Sequence, residues 1–148
     1  MIHFVNGDMF KDKYYARVNT VNCFGVMGAG LALQFKTQYP DMFIKYKEEC
    51  KNGTVRPGNV TSYFDTKDNS YILNFPTKLH YTENTPIIYI ITGLKSLKNI
   101  LLSYPKEAKV AIPALGCGLG GADWSIIKKY ICDILTDIDC EIHVFNPK

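Results

Sequence analysis

The sequence predicts an α/β fold: a mixed, mostly parallel central sheet with helices on both faces. Three observations lead there. Short β-rich runs alternate with helical patterns along the chain. Two glycine-rich junctions, at residues 18–35 (VNTVNCFGVMGAGLALQF) and 112–124 (IPALGCGLGGADW), each join an apolar β-like run to a helix. Finally, 148 residues with 47% apolar content can bury a substantial core. No repeat, low-complexity tract or linker interrupts the chain, so residues 1–148 are expected to form a single domain.

Each element has its own signal. Residues 1–6 form a first strand, with Ile2, Phe4 and Val5 apolar and Gly7-Asp8 closing it. Residues 16–21 form the second strand, which feeds the first glycine loop. Residues 31–50 are helical, with Leu31, Leu33, Phe35, Phe43, Ile44 and Tyr46 as broad apolar stripes. Pro40 divides this stretch, and Asp41 places an acid in the first turn of the second helix. Gly53 suits its C-terminal cap. Residues 60–64 and 71–75 read as two short strands around a polar turn. Pro76 is expected to stop the ladder and leave Thr77 and Lys78 at a strand exit. Residues 84–103 form a long amphipathic helix with Pro86 in its first turn and Ile87, Ile91, Leu94, Leu97, Ile100 and Leu101 inward. A buried strand at 110–113 precedes the second glycine loop. Residues 123–135 form the last helix, with Asp123 as N-cap and Ile126, Ile127, Ile131 and Ile134/Leu135 on its core side. Residues 141–145 form a last strand.

Composition excludes several classes. Five cysteines without CxxC spacing argue against zinc or a disulfide framework and for reduced thiols. The formal charge of +3 is compatible with a polyanionic partner without requiring one. No apolar run has transmembrane length, and polar residues interrupt the N-terminus, so no membrane association and a cytoplasmic location are expected.

The chemistry concentrates at the glycine junctions. Glycines there permit positive φ and close approach of backbone N–H groups, and a helix start adds unsatisfied donors. One such loop is equally a plain turn. Two in one small domain suggest a clamp on a diphosphate. The first glycine loop contains no GxGxxG with an acid about twenty residues on, and the chain has no GxxxxGK(S/T) P-loop. His3 and His143 fall in strands and read as structural, whereas His80 lies near Lys78. An isolated loop lysine is usually a solvated charge, and the position of Lys78 at a strand exit beside Thr77 sets it apart. Cys117 fits a tight loop by size as well as by reactivity.

Taken together, these segments resemble the macrodomain family of ADP-ribose-binding modules. The matching segments are Asn6-Gly-Asp8-Met9, Asn19-Thr-Val-Asn22 followed by Gly25-Val-Met-Gly28-Ala-Gly30, Ile112-Pro-Ala-Leu-Gly-Cys-Gly-Leu-Gly120, and Val144-Phe145. The runs NFPTKLHY (74–81) and YIITGLKSL (89–97) are similar to the branch containing the terminal ADP-ribose glycohydrolase and the DarG antitoxin. The resemblance implies a three-layer α/β/α macrodomain and a glycohydrolase that removes ADP-ribose from nucleic-acid bases, thymidine in DNA being the DarG-like case.

It also implies the site. Lys78 matches the branch's catalytic lysine. Asp8 would accept from the adenine amine, with the Met9 N–H donating to the ring and Phe145 and Asn146 covering or bordering it. Asn19, Thr20, Val21 and Asn22 would line the distal-ribose side, with Asn22 bonding the ribose hydroxyls and Thr77 helping. Backbone donors from Gly28, Gly30 and Leu31, and from Gly116, Cys117, Gly118, Leu119 and Gly120, would hold the diphosphate, with Pro113 and Leu115 also in the substrate site. Lys78 would either attack C1″ as a neutral amine, which requires a depressed pKa, or stabilise developing charge as an ammonium. The animal glycohydrolase carries a catalytic aspartate where this chain has Gly120, a departure that leans toward the DNA-base enzyme. Asp123 has two readings, an acid or the helix cap, with the cap favoured. The alternatives are hydrolysis of ADP-ribosyl glutamate on proteins or of O-acetyl-ADP-ribose, a non-catalytic ADP-ribose reader, and an ADP-ribose 1″-phosphate phosphatase. No metal or cofactor is implied. The expected partners are ADP-ribosylated DNA and an ADP-ribosyltransferase toxin, and a monomer is expected.

Overall fold

The computed structural model describes residues 1–148. Its elements are β1 (Ile2–Val5), β2 (Ala16–Asn22), α1 (Gly30–Gln38), α2 (Pro40–Lys51), β3 (Thr61–Asp65), β4 (Ser70–Lys78), α3 (Ile87–Leu101), β5 (Lys109–Ile112), α4 (Trp124–Ile134) and β6 (Glu141–Phe145). The six strands form one sheet in the order β1-β6-β5-β2-β4-β3. All neighbours are parallel except β3, which pairs antiparallel with β4 at the sheet edge. No helix is long and apolar enough to cross a membrane.

The central strands β2, β4 and β5 are buried on both faces, as helices on both sides of a parallel sheet require, whereas the edge strands β1 and β3 are only partly covered. Alternate residues serve two cores. Ala16, Val18, Leu73, Phe75, Val110, Ile112, Ile142 and Val144 join α3 and α4 on one face. Val21, Ile72, Ala111 and Phe145 join Phe35, Met42 and Tyr46 of α1 and α2 on the other. Helices on both faces make the three layers the sequence predicts.

Several local expectations change. β4 does not stop before Pro76: it runs to Lys78, with Pro76 opposite Val21. A register shift between Val21 and Asn22 moves the pairing from Pro76 to Lys78 and leaves Thr77 unpaired. This bulge accommodates the proline's missing donor. α3 starts at Ile87, with Pro86 as its extended N-cap. Its inward face is Ile90, Gly93, Leu94, Leu97 and Leu101, whereas Ile87 is 42% exposed and Ile91 and Ile100 are half-buried. The contact that sets this rotation is Gly93, where an added Cβ would collide with the ring of Phe75 on β4. Leu33, Ile44 and Ile126 also prove exposed. Their helices each bury one narrow stripe against the sheet: Phe35 in α1, Met42 and Tyr46 in α2, and Ile127 and Ile131 in α4.

Candidate functional site

The carboxyl ends of the parallel strands, with the loops that leave them, enclose a cavity of about 930 Å³. Each strand end contributes. Gly7, Asp8 and Met9 follow β1, Thr20 to Asn22 end β2, Thr77 and Lys78 end β4, Pro113 and Ala114 follow β5, and Phe145 and Asn146 close β6. This is where open α/β sheets place ligands.

The first glycine loop is built around Asn22. Its Oδ1 accepts from the backbone N–H groups of Phe24 at 3.0 Å and Gly25 at 3.1 Å, and its Nδ2 donates to the Val26 carbonyl at 2.7 Å. The Tyr46 hydroxyl reaches both the Asn22 carbonyl, at 2.7 Å, and Oδ1, at 3.0 Å. Burial holds that phenol protonated, its pKa raised far above the ordinary value. Asn22 therefore borders the cavity, but both ends of its amide are engaged by its own loop rather than presented to a ribose. Gly25 and Gly30 adopt φ of 101° and 56°, which turn the chain into α1. No side chain caps α1, and Gly28 to Ala32 line the cavity, so the helix's first N–H groups are left for a ligand.

The second loop opposes it. Gly116 and Gly121 have φ of 72° and 71°, and Gly116 accepts from Ala122 N–H at 2.8 Å. The loop rests on Thr85, whose N–H donates to the Gly120 carbonyl at 2.9 Å. An added Cβ at Gly120 would collide with Thr85 Oγ1 and lie 2.6 Å from the Gly116 carbonyl oxygen. The packing therefore has no room for the aspartate that the animal glycohydrolase carries there. Cys117 borders the cavity with its thiol toward the Leu115 carbonyl, 3.5 Å away. Burial, then the nearby Asp123, raises its pKa, which suppresses the nucleophilic thiolate.

Lys78 sits at the opposite end of the cavity from β1 and β6 in sheet order, paired with Asn22 across β2 and β4. The bulge breaks the alternation of the strand, so consecutive Thr77 and Lys78 both line the cavity. Lys78 Nζ donates to the Tyr81 carbonyl at 3.1 Å and forms no ion pair. The backbone around it is tied to the first loop, since Cys23 N–H donates to the Lys78 carbonyl at 3.0 Å. At the far end, Asp8 Oδ1 accepts from Phe10 N–H at 2.9 Å, and Oδ2 has no partner within the chain. Phe145 is 8% exposed, and Asn146 Nδ2 donates to Asn6 Oδ1 at 3.0 Å.

Of the residues singled out in the sequence, Asn19, Leu115, Asp123 and His80 lie off the cavity wall. Asn19 is fully buried and donates to Asn74 Oδ1 at 3.2 Å, and Leu115 belongs to the core. Asp123 caps α4, accepting from Ser125 N–H at 3.0 Å and Oγ at 2.8 Å, and these bonds lower its pKa. A carboxylate held ionised in this way is a poor general acid, so the cap reading is the one the geometry supports. His143 bonds Tyr14 at 3.0 Å and Glu141 at 3.1 Å beside the sheet, and His3 approaches Glu141 at 3.7 Å. Val26, Ala32, Gln34, Tyr81 and Ala114 also line the cavity and were not singled out. All five fall inside the motif runs at residues 18–35, 74–81 and 112–120, yet none of their side chains carries a signal of its own. No group of three or more His, Cys, Asp and Glu side chains gathers anywhere to hold a metal.

The Macro domain family model matches residues 18–131. The chain is similar to the DNA ADP-ribosyl glycohydrolase of Mycobacterium tuberculosis, with 40% identity over 150 residues that cover 97% of this chain and 42% of the relative. The chain thus spans about two fifths of the length of the DNA ADP-ribosyl glycohydrolases it matches. Among solved structures, the macrodomain of Mycobacterium tuberculosis DarG superposes with a TM-score of 0.93 at 37% identity, covering 100% of this chain and 99% of that one. Thermosipho africanus DarTG in complex with ADP-ribose gives 0.89 at 33% identity, over 99% of this chain and 41% of that one.

Proposed function

The chain belongs to the macrodomain family, and on that premise we propose that it is an ADP-ribosyl glycohydrolase that removes ADP-ribose from modified DNA bases, thymidine in the first instance. The observation that carries this reading is the placement of Lys78 and Thr77 side by side on the cavity wall by the β4 bulge. A module that only held ADP-ribose would need no lysine with its amine free of carboxylates at that end.

ADP-ribose lies across the strand ends. Asp8 Oδ2 accepts from the adenine amine, the Met9 N–H donates to the ring, and Phe145 supports the base. The diphosphate lies between the uncapped start of α1 and the loop 113–121, where backbone donors offset its charge without an arginine. Asn22 acts through its loop, fixing the backbone that faces the distal ribose. C1″ then lies at Lys78. Hydrolysis breaks the bond between C1″ and the base nitrogen; water supplies hydroxyl to C1″ and a proton to the base. Lys78 serves this step by one of two routes. As an amine it adds to C1″ of the ring-opened sugar and expels the base with a proton on its nitrogen, and water then hydrolyses the resulting imine to free ADP-ribose and the regenerated amine. As an ammonium it stabilises charge on the leaving base. Trapping with borohydride during turnover separates them, because only the imine route yields a reduced Lys78 adduct. The product removed is that of a DNA ADP-ribosyltransferase, the partner activity this reaction implies. The close packing of Gly120 favours the DNA base over ADP-ribosyl glutamate, since no acid fits at that position.

A side-by-side release assay tests the proposal. Wild type and Lys78→Ala are given ADP-ribosylated thymidine DNA and ADP-ribosylated glutamate protein, and free ADP-ribose is quantified by mass spectrometry. Wild type is expected to release ADP-ribose from DNA. Lys78→Ala should lose that release, roughly 100-fold or more, while retaining ADP-ribose binding by calorimetry. Normal turnover by Lys78→Ala would remove the lysine from the chemistry, and release from protein alone would redirect the substrate.

A further inference from the structure

Beside Lys78 lies a surface feature to which the proposed ADP-ribose pose assigns no role. Phe24, in the turn after β2, and His80 and Tyr81, after β4, form one aromatic cluster. Phe24 is 59% exposed and Tyr81 49%. The His80 and Tyr81 rings stack at 4.2 Å with 28° between their planes. Phe24 meets both edge-on, at 4.6 Å from His80 and 5.7 Å from Tyr81. Core burial does not account for three rings gathered at the surface.

The cluster is held in place by backbone bonds. Cys23 N–H donates to the carbonyls of Lys78 at 3.0 Å and Leu79 at 3.1 Å, and Phe24 N–H donates to Asn22 Oδ1 at 3.0 Å. The His80 ring accepts from Thr82 N–H at 3.2 Å. The cluster is also continuous with the cavity: Tyr81 lines it, and the Tyr81 carbonyl receives Lys78 Nζ. Phe24 stands outside the cavity wall, so its side chain serves whatever extends beyond ADP-ribose.

We infer that Phe24, His80 and Tyr81 form a stacking platform for the nucleobase bonded to C1″. This rests on the reading of the chain as a base-directed glycohydrolase. The group leaving C1″ emerges at Lys78, where Tyr81 borders the cavity. A nucleobase offers a π-face to aromatic rings, and a glutamate side chain offers none. The base lies on the rings and holds the scissile bond at the lysine. Phe24 and His80 are thus positioning residues that select the substrate.

Phe24→Ala, alone and with His80→Ala, tests this, with Phe24→Trp as the variant that keeps a stacking face and melting temperatures to verify folding. The substrates are an ADP-ribosylated single-stranded DNA oligonucleotide and an ADP-ribosyl-glutamate peptide, and free ADP-ribose is the binding probe. The kcat/KM for DNA is expected to fall roughly 5- to 100-fold in the alanine variants. Phe24→Trp should retain turnover, and the calorimetric affinity for free ADP-ribose should not change. Undiminished turnover of DNA by the double variant overturns the platform and leaves the glycohydrolase reading intact. No release from DNA by wild type overturns the glycohydrolase reading itself. Equal losses on DNA and peptide also overturn the platform, because the patch then does not distinguish a base from a protein side chain.

Discussion

Asn22 and Gly120 are both at the site for what they allow the backbone to do. Asn22 replaces missing secondary structure: one amide satisfies the backbone of a loop that could not otherwise hold its shape. Gly120 lets Thr85 and the Gly116 carbonyl approach the same point. An aspartate introduced there has to push Thr85 and backbone aside. Gly120→Asp is therefore expected to lower stability by about 1–3 kcal/mol, as overpacking does. It should not gain activity on ADP-ribosyl glutamate. Denaturant midpoints and the peptide release assay check the two halves of this expectation.

At the scale of elements, the site depends on how strands are clamped behind it. Arg17 of β2 is 5% exposed, and its guanidinium reaches Asp68 in the turn between β3 and β4 at 3.2 Å. It also donates to the carbonyls of Met9 at 3.0 Å and Asp12 at 2.6 Å. The same Asp68 carboxylate accepts from Tyr39 at 2.8 Å and Ser70 at 2.7 Å. Partial burial pushes the Asp68 pKa up, but the bonds from Ser70 and Tyr39 and the charge of Arg17 outweigh it, and the net shift is downward. A depressed folded pKa gives stability that is present above the unfolded value, about 3.9, and is lost as pH falls below it. Wild type is accordingly expected to lose stability below about pH 4, and Asp68→Asn to flatten that dependence while lowering stability at pH 7. Thermal melts from pH 7 to pH 3 would show it. A wild-type profile matching that of Asp68→Asn would exclude the clamp.

For the molecule as a whole, the two glycine loops and the Lys78 segment come from distant parts of the chain and meet only across the sheet. A ligand spanning them cross-links elements that unfolding separates. ADP-ribose at 100 times its dissociation constant should therefore stabilise the fold by about 2.7 kcal/mol. That corresponds to a melting temperature rise of roughly 5–10 °C for a domain of this size. No shift under saturating ADP-ribose would remove the cavity as its site.

The sequence by itself determined the order of elements, the three-layer architecture, the two glycine junctions and the isolation of Lys78 at a strand exit. These depend on local signals: apolar periodicity, glycine and proline placement, and short motifs read in order. Only the tertiary structure decided the rest. Pro76 lies inside a strand because a bulge against β2 absorbs its missing donor. α3 is rotated because Gly93 admits the ring of Phe75. Asn22 is consumed by Tyr46 and its own loop, Gly120 is blocked by Thr85, and Phe24 joins His80 and Tyr81 beside the lysine. Each depends on residues far apart in the chain, so no local pattern carries it. Close packing allows a side chain only what its distant neighbours leave room for.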